Sequence, residues 1–255
     1  MTRLTFLGTG TSQGVPIIGC KCKVCTSTDL KDKRLRSSAL IEHNGKKILI
    51  DAGPDFRQQL LRENIGNLDA ILLTHEHKDH TGGLDDVRAI NYLQKKILPI
   101  YCEKRVEESL HREYSYAFCE IKYPGIPQFN INIIDSNPFN IDGVNITPIR
   151  VYHRKLPILG YRIGNITYIT DANKIEEHEL KKVMGSKILV LNTIRKEKHF
   201  SHFSLSEAIE VAQKVGADAT YLTHLSHQIG THKDLSNCLP KGIYASYDGL
   251  SVETE

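Results

Sequence analysis

The stretch Thr74-His75-Glu76-His77-Lys78-Asp79-His80 decides how this chain is read. It follows directly on the apolar run Ala70-Ile71-Leu72-Leu73 and leads into Gly82-Gly83. A short apolar run bounded by polar residues reads as a buried strand, so the imidazoles and the carboxylate leave the end of that strand together. Neutral imidazole binds zinc, iron or manganese through one ring nitrogen, and a carboxylate adds charge and reach. Packing four such groups, His75, His77, Asp79 and His80, into six residues makes little sense for a loop that only faces water, and the pattern predicts a metal centre. The two glycines are expected to let the backbone turn tightly into a following helix.

Working outward, further ligands are expected at the ends of other strands. His153 follows Ile149-Arg150-Val151-Tyr152, Asp171 follows Tyr168-Ile169-Thr170, and His224 follows Tyr221-Leu222-Thr223. Each is the first strongly coordinating group after a β-like run, and with the cluster they make a seven-ligand set.

Short β-rich runs alternate with helical patterns along the whole chain. Strands are expected at Leu4–Leu7, Ser38–Glu42, Lys47–Asp51, Ala70–Thr74 and Ile97–Cys102, and again at Val144–Tyr152, Leu159–Ile163, Thr167–Thr170, Ile188–Asn192 and Thr220–Thr223. Asn44-Gly45 between the second and third of these is a strong hairpin signal. Helices are expected at Asp55–Glu63, Asp85–Leu93, Glu103–Tyr114, Glu176–Val183 and Ser204–Val215, the last with Ser204 and Glu207 spaced as a capping box. Strands pairing mostly as hairpins, with helices outside them, imply an α/β (α+β) single domain of two facing sheets.

Composition narrows the function. A chain of 255 residues with 40% hydrophobic and 25% charged residues can bury one large core. Its net charge of +3 comes from mixed basic and acidic residues, which is not the footprint of a dedicated nucleic-acid binder. No apolar run is long enough for a membrane span. The segment before Gly8 is too short for a secretory leader, so the expected location is the cytoplasm. Three of the six cysteines crowd into Cys20-Lys21-Cys22-Lys23-Val24-Cys25, and in a chain with no export signal such crowding points to metal or redox chemistry. Three thiolates are one ligand short of a closed tetrahedral zinc site. His227, three residues beyond His224, is a candidate fourth. Cys102, Cys119 and Cys238 read as core or incidental residues.

Together these motifs, from Phe6-Leu7-Gly8-Thr9-Gly10 through Asp51-Ala52-Gly53 to His224, resemble the metallo-β-lactamase-fold hydrolases over nearly the whole chain. The resemblance implies a four-layer αββα sandwich. It assigns His75, His77 and His153 to one metal, and Asp79, His80 and His224 to a second, with Asp171 bridging both and Asp79 also orienting the attacking hydroxide. Two divalent ions, zinc or manganese with iron a further candidate, then act as one catalytic centre.

The branch is narrowed by what stands at particular positions. Asp171 in place of a cysteine disfavours the lactamases; His77 in place of a carboxylate disfavours the diiron oxidoreductases; no long helical extension of the thioesterase kind follows His224. The Cys20-x-Cys22-x-x-Cys25 insertion, within a segment at about residues 19–36, is similar to that of the phosphoribosyl cyclic phosphate phosphodiesterases of the carbon–phosphorus lyase pathway. It is also similar to that of the pyrroloquinoline quinone biosynthesis proteins of the same fold. The first resemblance implies one structural zinc on Cys20, Cys22, Cys25 and His227. It also implies an extra active-site histidine, for which His202 is favoured over His199 because it directly precedes the Ser204-capped helix. Its work would be to bind phosphate or protonate the leaving alkoxide.

The expectation is a binuclear phosphodiesterase acting on a small or cyclic phosphodiester, with a homodimer suggested by the resemblance. Few glycines in 95–137 and the low net charge weigh against RNA as substrate without removing it. A non-phosphorus ester, lactone or thioester hydrolase and a quinone-biosynthesis-like accessory protein are the rival readings.

Overall fold

The computed structural model describes residues 1–119 and 123–255. Two mixed sheets carry the chain. In the first, the spatial order is Ser251–Thr254, Thr2–Gly8, Ser38–His43, Lys46–Ile50, Ala70–Leu72, Leu98–Cys102 and Phe129–Ile133. The second runs Lys174–Ile175, Val144–His153, Leu156–Ile163, Ile166–Ile169, Ile188–Asn192, Ala219–Thr223 and Ile243–Ala245, with Phe139–Ile141 paired to the side of Val144–His153.

Alternation along each strand explains the layering. Ile48 and Ile50 point between the sheets, where they meet Phe6, Ile146, Tyr161, Tyr168 and Val190. Leu49 points the other way, into a layer formed with Phe56, Leu60, Val87, Val106 and Leu110 of the covering helices. On the second sheet Ile188 and Val190 face inward while Leu189 and Leu191 meet Leu180, Ala208 and Ala212 outside. Period-two alternation with apolar residues on both faces buries both sides of each sheet. Each fully buried large aliphatic or aromatic side chain stabilises the stack by roughly 1.5–3 kcal/mol. The result is the expected helix–sheet–sheet–helix sandwich. Among the described residues no helix is long and apolar enough to cross a membrane.

One expectation needs correction. The strands do not pair mostly as hairpins. The hairpin at Asn44-Gly45 forms, with φ of 51° and 76° at those residues, as a tight two-residue turn requires. Beyond it, Lys46–Ile50 pairs in parallel with Ala70–Leu72, and so on through Phe129–Ile133. Ile166–Ile169 likewise begins a parallel run to Ile243–Ala245. The helices between those strands supply the crossovers that parallel pairing demands. Parallel strands all end at one edge, which is why candidate ligands on distant segments meet.

Residues 9–37 stand outside both sheets. They contain one short 3₁₀ turn, Leu30–Asp32; Gly10 bridges to Arg36 within the segment and to Leu225, next to the strand Ala219–Thr223, outside it.

Candidate metal centre and its outer hydrogen bonds

The parallel strands deliver their ligands through strained exits. Asp51, Asp171 and His224 follow strands and all have positive φ, at 61°, 59° and 56°. Left-handed backbone is uncommon for residues other than glycine, and such outliers cluster where a site must be held in one arrangement. Gly53 and Gly83 let the segments close. A Cβ on Gly53 would lie 2.0 Å from the Asp79 carbonyl oxygen, and one on Gly83 would lie 2.1 Å from the Gly53 carbonyl oxygen. Both contacts are impossible, so the Ala52-Gly53 turn can touch the histidine loop only without side chains there. Gly82 and Gly83 have negative φ, −69° and −101°. Close approach, not a tight left-handed turn, is what this pair supplies.

The seven residues converge. Ligand atoms of His75, His80 and Asp171 lie within 4.8 Å of one another, as do those of His153, Asp171 and His202. His80 Nε2 is 3.2 Å from Asp79 Oδ2 and 3.3 Å from Asp171 Oδ2. His77, exposed at the mouth, packs its ring 4.5 Å from that of His75 and 5.2 Å from that of His153. The His224 ring stacks on His202 at 4.9 Å, and its Nδ1 stands 3.3 Å from Asp171 Oδ2. His202 is buried, with Nε2 3.2 Å from Asp171 Oδ1. It is therefore as near Asp171 as His80 is, while His199 lies farther out with its Nδ1 3.2 Å from that of His202.

Asp51 is the residue that the ligand set omitted. Fully buried, it accepts hydrogen bonds from the Thr74 backbone N–H at 2.8 Å, from the Thr74 hydroxyl at 2.9 Å and from His80 Nδ1 at 2.7 Å. With its proton committed to Asp51, the Thr74 oxygen accepts from His75 Nδ1 at 2.9 Å. One carboxylate thus fixes the tautomers of two histidines and leaves their Nε2 lone pairs facing the cluster. The Nδ1 of His153 is tied in the same way, donating to the Asp171 carbonyl at 2.8 Å. The Asp-Ala-Gly motif after a strand was the available signal. Its role stayed hidden because the hydrogen bond joins residues 29 apart in sequence.

These atoms fit a bound cation. His75 Nε2 and His80 Nε2 are buried without a hydrogen-bond partner, a costly state for a polar atom. Burial opposes charge on His80, yet Asp171, Asp51 and Asp79 outweigh it and push its pKa well above the ordinary value. Burial drives His75 the opposite way, well below, and lowers His224 to about 4. Burial also opposes charge on Asp171, but His224, His80 and His202 prevail and hold it ionised. Carboxylates that draw a positive charge into a buried spot lined by neutral imidazoles draw a divalent ion by the same electrostatics.

The second cluster is of another kind. Cys20, Cys22 and Cys25 have their Sγ atoms 3.4, 3.4 and 3.5 Å from the single atom His227 Nδ1. One ring nitrogen cannot share hydrogen bonds with three thiols. A tetrahedral zinc with ordinary Zn–S and Zn–N lengths has S···N edges of about 3.6 Å, which is what these atoms form. The Cys25 backbone N–H, ahead of His227, lowers the Cys22 thiol to about 6 against the cost of burial. Cys102 is buried; Cys119 and Cys238 are exposed.

A family model described as the β-lactamase superfamily domain matches residues 46–225. In the crystal structure of a diphosphatase from the PhnP family, the likeness covers 100% of this chain and 98% of that one, with a TM-score of 0.93 and 38% identity. Zinc-bound PqqB from Methylobacterium extorquens shares the fold at a TM-score of 0.81 and 16% identity, over 99% of this chain and 100% of that one. A Porphyromonas gingivalis protein named octanoyltransferase is 42% identical over 98% of this chain, but the chain spans only about half of that relative's length, 51%. With two helix-flanked sheets and the His/Asp cluster at their edge, the chain belongs to the β-lactamase superfamily.

Proposed function

We propose that this chain is a metal-dependent phosphodiesterase that hydrolyses a P–O bond in a small phosphodiester, a cyclic ribose phosphate or a diphosphate-linked molecule. The observation that carries phosphorus chemistry is the full-length likeness, at 38% identity, to a PhnP-family diphosphatase. The hydrolase class is supported by the superfamily match and by the converging His/Asp atoms.

His75, His77 and His153 would hold one divalent ion and Asp79, His80 and His224 the other, with Asp171 shared. When bound, such a pair lowers the pKa of a water and offsets the charge that builds on phosphoryl oxygens. The chain's own groups do the rest. Asp51, directly at His80 and through Thr74 at His75, keeps both Nδ1 atoms protonated so that both Nε2 atoms stay free. Asp79 accepts a proton or hydrogen bond from the attacking water. His202, backed at Nδ1 by Ser201 Oγ at 3.0 Å, binds the phosphoryl group and holds a proton for the departing oxygen. Cys20, Cys22, Cys25 and His227 would hold a structural zinc.

The name of the Porphyromonas relative favours a second reading, in which the bond cleaved is an octanoyl ester or thioester. Metal-defined protein assayed on bis-p-nitrophenyl phosphate, a cyclic ribose phosphate and a diphosphate diester, beside octanoyl thioester and lactam substrates, separates the two. Turnover is expected on at least one phosphorus substrate. Failure on all of them with turnover of the thioester would overturn the proposal in favour of the second reading.

A further inference from the structure

The turns that carry His153, Asp171 and His202 also carry groups with no part in that chemistry. Phe200, two residues before His202, is 69% exposed. An aromatic ring left in water beside a buried polar cluster forgoes burial that would stabilise the fold. Arg154, immediately after His153, holds its guanidinium over the Phe200 ring, 5.5 Å from the centroid. The His199 ring borders the same side chain at 4.6 Å.

These groups are fixed by one side chain. Asn173, two residues after Asp171, accepts from the Arg154 backbone N–H through Oδ1 at 2.7 Å and donates from Nδ2 to the Phe200 carbonyl at 3.4 Å. Arg154 has a φ of 60° at the first position of the two-residue turn that joins Val144–His153 to Leu156–Ile163, as a tight hairpin requires. That turn, tied by Asn173, places Arg154 beside Phe200 at the rim.

We infer that Phe200 and Arg154 form a substrate subsite at the rim, Phe200 stacking a planar base and Arg154 engaging a phosphate that is not cleaved. The ligand class is a nucleoside diphosphate or its ester, with the scissile phosphorus at the His/Asp cluster. This deepens the function proposed above and rests on it. An aromatic face accepts any base without reading its edges, and a guanidinium matches a phosphate with paired N–H donors.

Binding and turnover are read separately, so the subsite and the reaction can fail independently. In calorimetry on the metal-loaded protein, adenosine monophosphate is expected to bind at least about tenfold tighter than inorganic phosphate, the worth of one base stack. Phe200→Ala should shrink that ratio about tenfold, and Phe200→Tyr should restore it. In turnover, P1-adenosine P2-methyl diphosphate should be preferred over P1,P2-dimethyl diphosphate in kcat/KM, and Phe200→Ala should reduce the preference through KM. Arg154→Gln should raise KM for both diphosphates. Equal binding of adenosine monophosphate and phosphate by the unaltered protein would overturn the subsite even if both diphosphates are hydrolysed. So would a Phe200→Ala variant that keeps the full ratio. Hydrolysis of neither diphosphate with the binding ratio intact would instead remove this reaction and leave the subsite standing.

Discussion

The two clusters hold metal-ligating atoms by opposite means. The His/Asp cluster is assembled by the sandwich itself: its residues leave different strands, and their Nδ1 atoms are tied to Asp51, Thr74 and the Asp171 carbonyl. The Cys/His cluster lies on a loop region with little regular structure, over a small apolar group of Val15, Val24 and Cys25 backed by Ile17. In the first, the packed layers fix the ligands and a metal adds chemistry. In the second, few apolar contacts hold the loop, and a metal on the four ligands would brace it. A closed four-ligand set leaves no position for substrate, whereas imidazoles and carboxylates with free Nε2 atoms do. The same element would therefore be catalytic at one place and architectural at the other.

The largest test of that contrast is His75→Ala. Turnover is expected to fall by at least about a thousandfold, since several kcal/mol of charge stabilisation go with the metal. The thermal midpoint should move only slightly, because the apolar contacts of the outer and inner layers do not involve His75. Activity within tenfold of the unaltered protein would break the metal assignment. A collapse of the midpoint would show that this centre, too, is architectural.

Cys22→Ser should do the reverse. One zinc per chain should be lost by metal analysis. The midpoint should drop by about 10 °C, given a cost of a few kcal/mol and about 2–4 °C for each in a chain of this size. Turnover at a temperature well below the new midpoint should remain within about threefold. A variant that keeps all its metal and its midpoint would sink the structural-zinc reading.

How much of this was legible in the sequence follows from the range of each interaction. Strands and helices were readable because alternation and capping are local; Ser204 and Glu207 form the capping box expected from their spacing. The ligand cluster was readable because His75 to His80 lie on one loop, and His153, Asp171 and His224 because strand ends are recognisable one at a time. The parallel order of the strands was not readable, since short apolar runs do not state their partners. Asp51 was seen only as a strand end, as its bonds to Thr74 and His80 exist only after folding brings the loops together. Nor does spacing separate His202 from a ligand. Its distance to Asp171 equals those typical of the ligand histidines, and only chemistry can tell them apart. The edge strands Phe129–Ile133 and Ser251–Thr254 went unseen for different reasons: Phe129-Asn130-Ile131-Asn132-Ile133 does alternate and was a missed signal, whereas Ser251–Thr254 carries one apolar residue and is too short to show a period.

The finest test asks whether the two clusters are independent. His224 and His227 are separated by Leu225 and Ser226, so loosening the loop could disturb a catalytic ligand. Two ties oppose this. The Leu225 backbone N–H donates to Thr9 O at 2.8 Å, and His224 Nδ1 meets Ser37 Oγ at 3.0 Å while the Ser37 hydroxyl donates to Gly10 O. Ser37→Ala removes both hydrogen bonds of that hydroxyl; the one that orients His224 is worth about 1 kcal/mol, so affinity for the catalytic metal should fall by about fivefold. In a Cys22→Ser background the same change should cost more, because Gly10 and Ser37 then hang on a loop that no zinc organises. A double-mutant cycle on metal affinity measures the difference directly. A coupling indistinguishable from zero would mean that the sandwich alone holds His224 and that the two clusters share only a stretch of chain.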